Sequence, residues 1–228
     1  MFRTLLLPLL VCCATLAHAA PKACTTGDPT PSRLARDEHG DALKIARCLR
    51  WTDRTGDYQL YLLASEDRRD GDYTLSKSLA AQLFRKQPDG TLAARWVIHD
   101  RIEEGEAGAW FSKNLSEFPS LDGDGVVTPL LVLRFVGYGQ GDPSRPVDYD
   151  AYAGRLKLIL FHGDTKVAVR AVTGGLDDER HTTASDSFFE LPRPQQRYLQ
   201  NKLRNLARDE LFVADDVDDY RPKREKHR

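Results

Sequence analysis

No stretch of this chain announces a reaction. There is no GxSxG elbow, so a hydrolase triad has no anchor. The six histidines are scattered, with no HxH or HExxH spacing to hold a metal. His99 (before Asp100) and His162 (two before Asp164) have acids close by, and both read as surface residues, one on a polar strand face and one at a turn. GYGQGDP, residues 137–143, lacks the Lys-Ser/Thr ending of a phosphate loop and opens no helix, so it reads as a strand-end loop. An excess of one charge is missing too. The 33 basic and 34 acidic residues nearly cancel, which argues against nucleic acid as a partner and against wholesale attraction to membranes. Beyond the N-terminal segment no second apolar run of about 20 residues occurs, so no transmembrane segment is expected in the mature chain.

What is present begins with a secretory signal. Arg3 gives a positive start, Leu5 to Leu16 an apolar run too short to span a bilayer comfortably, and Ala17-His18-Ala19 small residues where a signal peptidase reads. Residues 1–19 are expected to be cut off after Ala19, leaving a periplasmic or secreted protein. Cys24 and Cys48 then remain as the only cysteines and make no CxxC redox motif. In an oxidising compartment two such cysteines most simply form one disulfide, which on loop-closure arithmetic contributes about 3 kcal/mol.

The pattern predicts a mainly β fold of the α+β kind: an antiparallel sheet built from successive hairpins, with one C-terminal amphipathic helix. Residues 20–43 read as a polar arm, 44–214 as a single domain and 215–228 as a charged, solvated tail. KIARCLRW and YQLYLLASED flank a Thr55-Gly56-Asp57 turn. SKSLAAQLFRKQ and TLAARWVIHDRI flank Pro88-Asp89-Gly90. RLKLILFH and TKVAVRAV meet at Gly163-Asp164. VVTPLLVLRFVGYG is the most apolar run and the best central strand, and Pro129 limits where its pairing can start. Residues 103–119 show no clean period and read as a loop with one helical turn, anchored to the core by Trp110 and Phe111. Leu199, Leu203, Leu206 and Leu211 form the helical stripe, with Pro194 in the first turn.

SLDGDGVVTP, residues 120–129, is the one stretch with ligand-like spacing. In a calcium loop, oxygens at alternate positions converge on the ion and glycine at the sixth permits the bend. Ser120, Asp122, Asp124, the Val126 carbonyl and Thr128 would supply that set for calcium, but Leu131 stands where the bidentate acid belongs. The same residues suit a tight turn whose carboxylates cap backbone amides. Elsewhere, Tyr138, Tyr149 and Tyr152 in the 137–152 loop offer rings that would either stack on sugar or pack the loop. Carboxylates are plentiful, Asp177, Asp178 and Glu179 among them, so a two-acid glycosidase stays open, though nothing selects a pair.

RWTDRTGD, LDGDGV, Gly141-Asp142 and LKLILFHGDTKVAVR, in that order, resemble a poorly characterised family of exported bacterial proteins that carry the label of surface polysaccharide biosynthesis. The Asp/Gly loop alone is similar to those of FG-GAP-type propellers, where Asp-rich turns hold calcium. The resemblance implies an exported, β-rich protein. It implies no particular reaction. This chain departs from the family at Ser120 and Thr128, where the others place acids, which lowers the expectation of a metal. The expected function is a non-enzymatic cell-envelope module for glycan or a protein partner. The alternative is an envelope polysaccharide hydrolase using two carboxylates.

Overall fold

A computed structural model describes residues 20–174, 176, 180–211 and 220–225. Residues 1–19, read from the sequence as a signal peptide, the acids Asp177, Asp178 and Glu179, and positions 212–219 and 226–228 of the C-terminal stretch lie outside the described residues.

The first sheet grows from hairpins. β1 (Lys22–Ala23) adds to β2 (Lys44–Asp53), which turns tightly into β3 (Gly56–Ala64). A small ribbon of β4 (Arg68–Asp70) and β5 (Tyr73–Leu75) follows, then the hairpin of β6 (Ser78–Lys86) and β7 (Leu92–Arg101). β3 pairs with β6, so the order is β1-β2-β3-β6-β7. The second sheet takes β8 (Glu106–Phe111), β9 (Leu130–Gly137), β10 (Arg155–His162), β11 (Thr165–Val172), β12 (His181–Ala184) and β13 (Lys223–Arg224), ordered β13-β12-β11-β10-β9-β8. Helices α1 (Asp186–Glu190) and α2 (Arg193–Arg208) follow β12.

Side-chain alternation sets the layers. Leu60 and Leu62 of β3 and Leu131, Leu133 and Phe135 of β9 point into the space between the sheets, where Trp96 stacks on Phe161 with ring centroids 3.6 Å apart. The intervening residues Leu130 and Val132, with Leu156, Leu158 and Leu160, turn the other way and bury against Leu199, Leu203 and Leu206 of α2. On the far side of the first sheet, Tyr61, Leu63 and Phe84 are covered by Leu43, Leu34 and Ala35 of the N-terminal arm. The layers are therefore arm, sheet, sheet and helix. The mainly β class, the antiparallel hairpins and the C-terminal helix match the expectation, but the hairpins divide between two sheets.

Three local expectations are corrected. The 106–111 part of the expected loop is β8, an edge strand paired with β9; Gly108 within it, Gly105 just before it and its bulge hide the period. Within it Ala109 and Phe111 enter the core, whereas Trp110 alternates to the opposite face and does not anchor there. The stretch 220–225 of the expected solvated tail is docked: Tyr220 is buried and β13 pairs in parallel with β12. Its charged residues are accommodated because β13 lies at a sheet edge, where Lys223 and Arg224 stay exposed.

Candidate functional site

The Asp/Gly loop is held by separate partners on separate elements. Asp124 Oδ1 accepts the Val126 N–H at 3.0 Å, and Oδ2 accepts from Arg54 at 3.1 Å. Asp122 accepts two contacts from the Gln195 side-chain amide of α2, at 2.8 and 3.0 Å. Gly123 and Gly125 have φ of 63° and 82°, the left-handed region where glycine is unstrained. The Val127 N–H reaches Asp53 Oδ2, and the Thr128 N–H reaches the Pro119 carbonyl. Ser120 Oγ is buried without a partner. These contacts fasten the loop to the β2–β3 turn and to α2. Among the described residues, no group of three or more His, Cys, Asp or Glu side chains is assembled in a way that would hold a metal.

A different place gathers exposed aromatic surface. The register of β8 on β9 sets Trp110 directly opposite Arg134, so the two side chains share a face. Tyr73, opening β5, lies 5.0 Å from Trp110 between ring centroids and stacks on Tyr149 at 4.5 Å with planes 18° apart. Tyr73 remains 42% exposed despite these neighbours. Tyr149 is fixed from the other side, its hydroxyl donating to Asp70 Oδ2 at 3.0 Å. Burial, reinforced by that bond, pushes its pKa up to about 12. The triad borders a cleft of about 580 Å³ with Glu66, Asp72, Lys113, Asn114 and Glu210 among its polar lining.

Arg134 also lines this cleft and is only 7% exposed. Its guanidinium donates to the carbonyls of Leu211, Asp150 and Ala153, tying the end of α2 and the 150–153 loop to the central strand. Burial draws its pKa below the ordinary arginine value, partly opposed by the charge of Asp150.

Of the three loop tyrosines singled out in the sequence, only Tyr149 joins the cluster. Tyr138 lies beneath the Arg68 guanidinium at 5.9 Å, and Tyr152 is exposed beside Arg180 at 5.7 Å. Tyr73 and Trp110 escaped sequence reasoning. Trp110 reads as a core anchor, and Tyr73 sits in a short Asp/Gly-rich ribbon with no visible period. Cys24 and Cys48 form the expected disulfide, beside the β1–β2 pairing. No described helix is long and apolar enough to cross a membrane. Comparison of the chain with protein-family models, with curated proteins and with solved structures finds no match.

Proposed function

We propose that this is an exported, non-enzymatic cell-envelope module that binds a glycan in the Tyr73–Trp110–Tyr149 cleft. One observation carries the reading: Tyr73 packs against two other rings yet leaves a large part of its surface open at a cleft with polar walls. A pyranose presents C–H groups on its faces and hydroxyls on its rim. An aromatic platform edged by amide, carboxylate and ammonium groups is complementary to both. Because the neighbouring rings already fix Tyr73, little side-chain entropy is lost on binding. The Cys24–Cys48 disulfide supports an oxidising compartment, periplasmic or extracellular.

The test is calorimetric titration of the mature chain with envelope polysaccharide fragments. Binding is expected for the wild type and a loss of about tenfold or more for Tyr73→Ala, with unfolding stability unchanged. A panel of peptidoglycan, lipopolysaccharide and capsule fragments with no binder removes the glycan reading and moves the search to a protein partner. The two-carboxylate hydrolase is the second reading, kept because Glu66, Asp72 and Glu210 line this same cleft. It requires turnover of the bound glycan that falls to background on single Asp→Asn or Glu→Gln changes.

A further inference from the structure

Resting on the glycan reading above, we infer that the ligand is an acidic glycan whose carboxylate is taken by Arg134 at the floor of the cleft. A buried cation is costly unless a counter-charge accompanies it. Elsewhere in this protein that rule is kept. Arg155, the other charged side chain buried to a similar degree among the described residues, pairs with Glu106 at 2.6 Å. The largely buried Lys157 pairs with Asp100 at 2.5 Å, and Lys202 with Glu117. Arg134 is the exception. Its described partners are three backbone carbonyls, which carry partial charge only. The carboxylates of Asp148 and Asp150 act on it from beyond ion-pair distance.

The guanidinium has five N–H donors, and the three carbonyl contacts leave two unspent. It stands cross-strand from Trp110 and lines the same cleft as Tyr73. A sugar ring on the aromatic platform would therefore bring a ring substituent toward a buried cation that has no carboxylate partner among the described residues. A carboxylate there supplies the missing counter-charge, and a charge-assisted hydrogen bond in this partly desolvated place is stronger than a neutral one. A neutral hydroxymethyl at the same position gives up that gain. The other lining charges are two basic (Arg47, Lys113) and three acidic (Glu66, Asp72, Glu210), so the rim itself does not favour an anion and selectivity for a carboxylate rests on the buried group.

The experiment uses the wild-type mature chain, because Arg134 pins three segments and its replacement risks the fold. Oligogalacturonate, the same oligosaccharide after carboxyl reduction, and a sulfated galactan oligosaccharide are titrated side by side, with Tyr73→Ala as the site control. The expected result is binding of oligogalacturonate about tenfold or more tighter than its reduced form, weakened by Tyr73→Ala. Equal affinity for the acidic and reduced forms overturns this inference and leaves the glycan reading standing, with Arg134 as a structural clamp. Binding of the sulfated oligosaccharide alone overturns the carboxylate assignment. No binding of any of the three, while neutral envelope fragments bind, also overturns it. If nothing binds at all, both readings fall together.

Discussion

Asp124, on the Asp/Gly loop, and Arg54, at the β2–β3 turn, meet at 3.1 Å although 70 residues separate them in the chain. The pair joins a connection of the second sheet to a turn of the first. Being largely exposed, it contributes modestly, and Arg54→Ala is expected to cost under about 1 kcal/mol. Asp124→Ala also removes the acceptor for the Val126 N–H and is expected to cost about 1–2 kcal/mol in urea unfolding. Because both carboxylates of the loop already have protein partners, thermal melts in millimolar calcium and in chelator are expected to overlay. A calcium-dependent rise in the midpoint that Asp124→Ala abolishes would instead make the loop an ion site.

The Tyr149 hydroxyl should make stability sensitive to alkali. Its pKa is raised from 10.0 to about 12, first by burial and then by the bond to Asp70. A group whose folded pKa lies above its unfolded value contributes fully below the unfolded pKa. The contribution is lost as pH rises from 10.0 through about 12. Wild type and Tyr149→Phe, compared by urea unfolding across that window, should differ by an amount that shrinks as pH rises. A constant difference would show that Tyr149 keeps its proton no better than a free tyrosine.

Lys157 and Asp100 form an ion pair between the sheets, with side chains 13% and 8% exposed. Burial lowers the lysine pKa, and Asp100 opposes that shift. Asp100→Asn leaves an uncompensated buried ammonium and is expected to cost about 3–5 kcal/mol, whereas the double change Asp100→Leu with Lys157→Met should be near neutral or stabilising. Additive losses in the double-mutant cycle would show that each group is stabilised independently.

Gly154 is irreplaceable for two reasons that act together. Its φ is 73°, and a Cβ there would lie 2.1 Å from the Phe135 carbonyl oxygen. That oxygen belongs to the backbone of β9, the strand between β8 and β10, so it has little room to yield. Gly154→Ala is predicted to destabilise by about 3 kcal/mol, seen as a lower urea midpoint with unchanged slope.

Much of the fold could be read from the chain because it rests on local signals. Thr55-Gly56-Asp57, Pro88-Asp89-Gly90 and Gly163-Asp164 mark three turns, and the alternation of Leu156, Leu158 and Leu160 marks a core face. The elements that were missed lack such signals. β8 carries Gly108 because its Cβ would crowd Leu75 at 2.6 Å, a tertiary demand that weakens the strand pattern. β12 and β13 are short, and the pairing between them joins residues about 40 positions apart. The aromatic cleft was only partly legible for the same reason. Tyr73, Trp110 and Tyr149 come from three segments with no shared spacing, and only register and topology bring them together.

The Cys24–Cys48 bridge closes the loop that carries Leu34, Ala35 and Leu43 over the outer face of the first sheet. A cover tethered at both ends has an effective local concentration on the order of millimolar or more for the surface it leaves. Each time it lifts, it returns before a competitor at ordinary concentration arrives. With the bridge reduced, the cover is held only by the chain entering β2 and by the β1–β2 pairing, and Tyr61, Leu63 and Phe84 are expected to be covered less of the time.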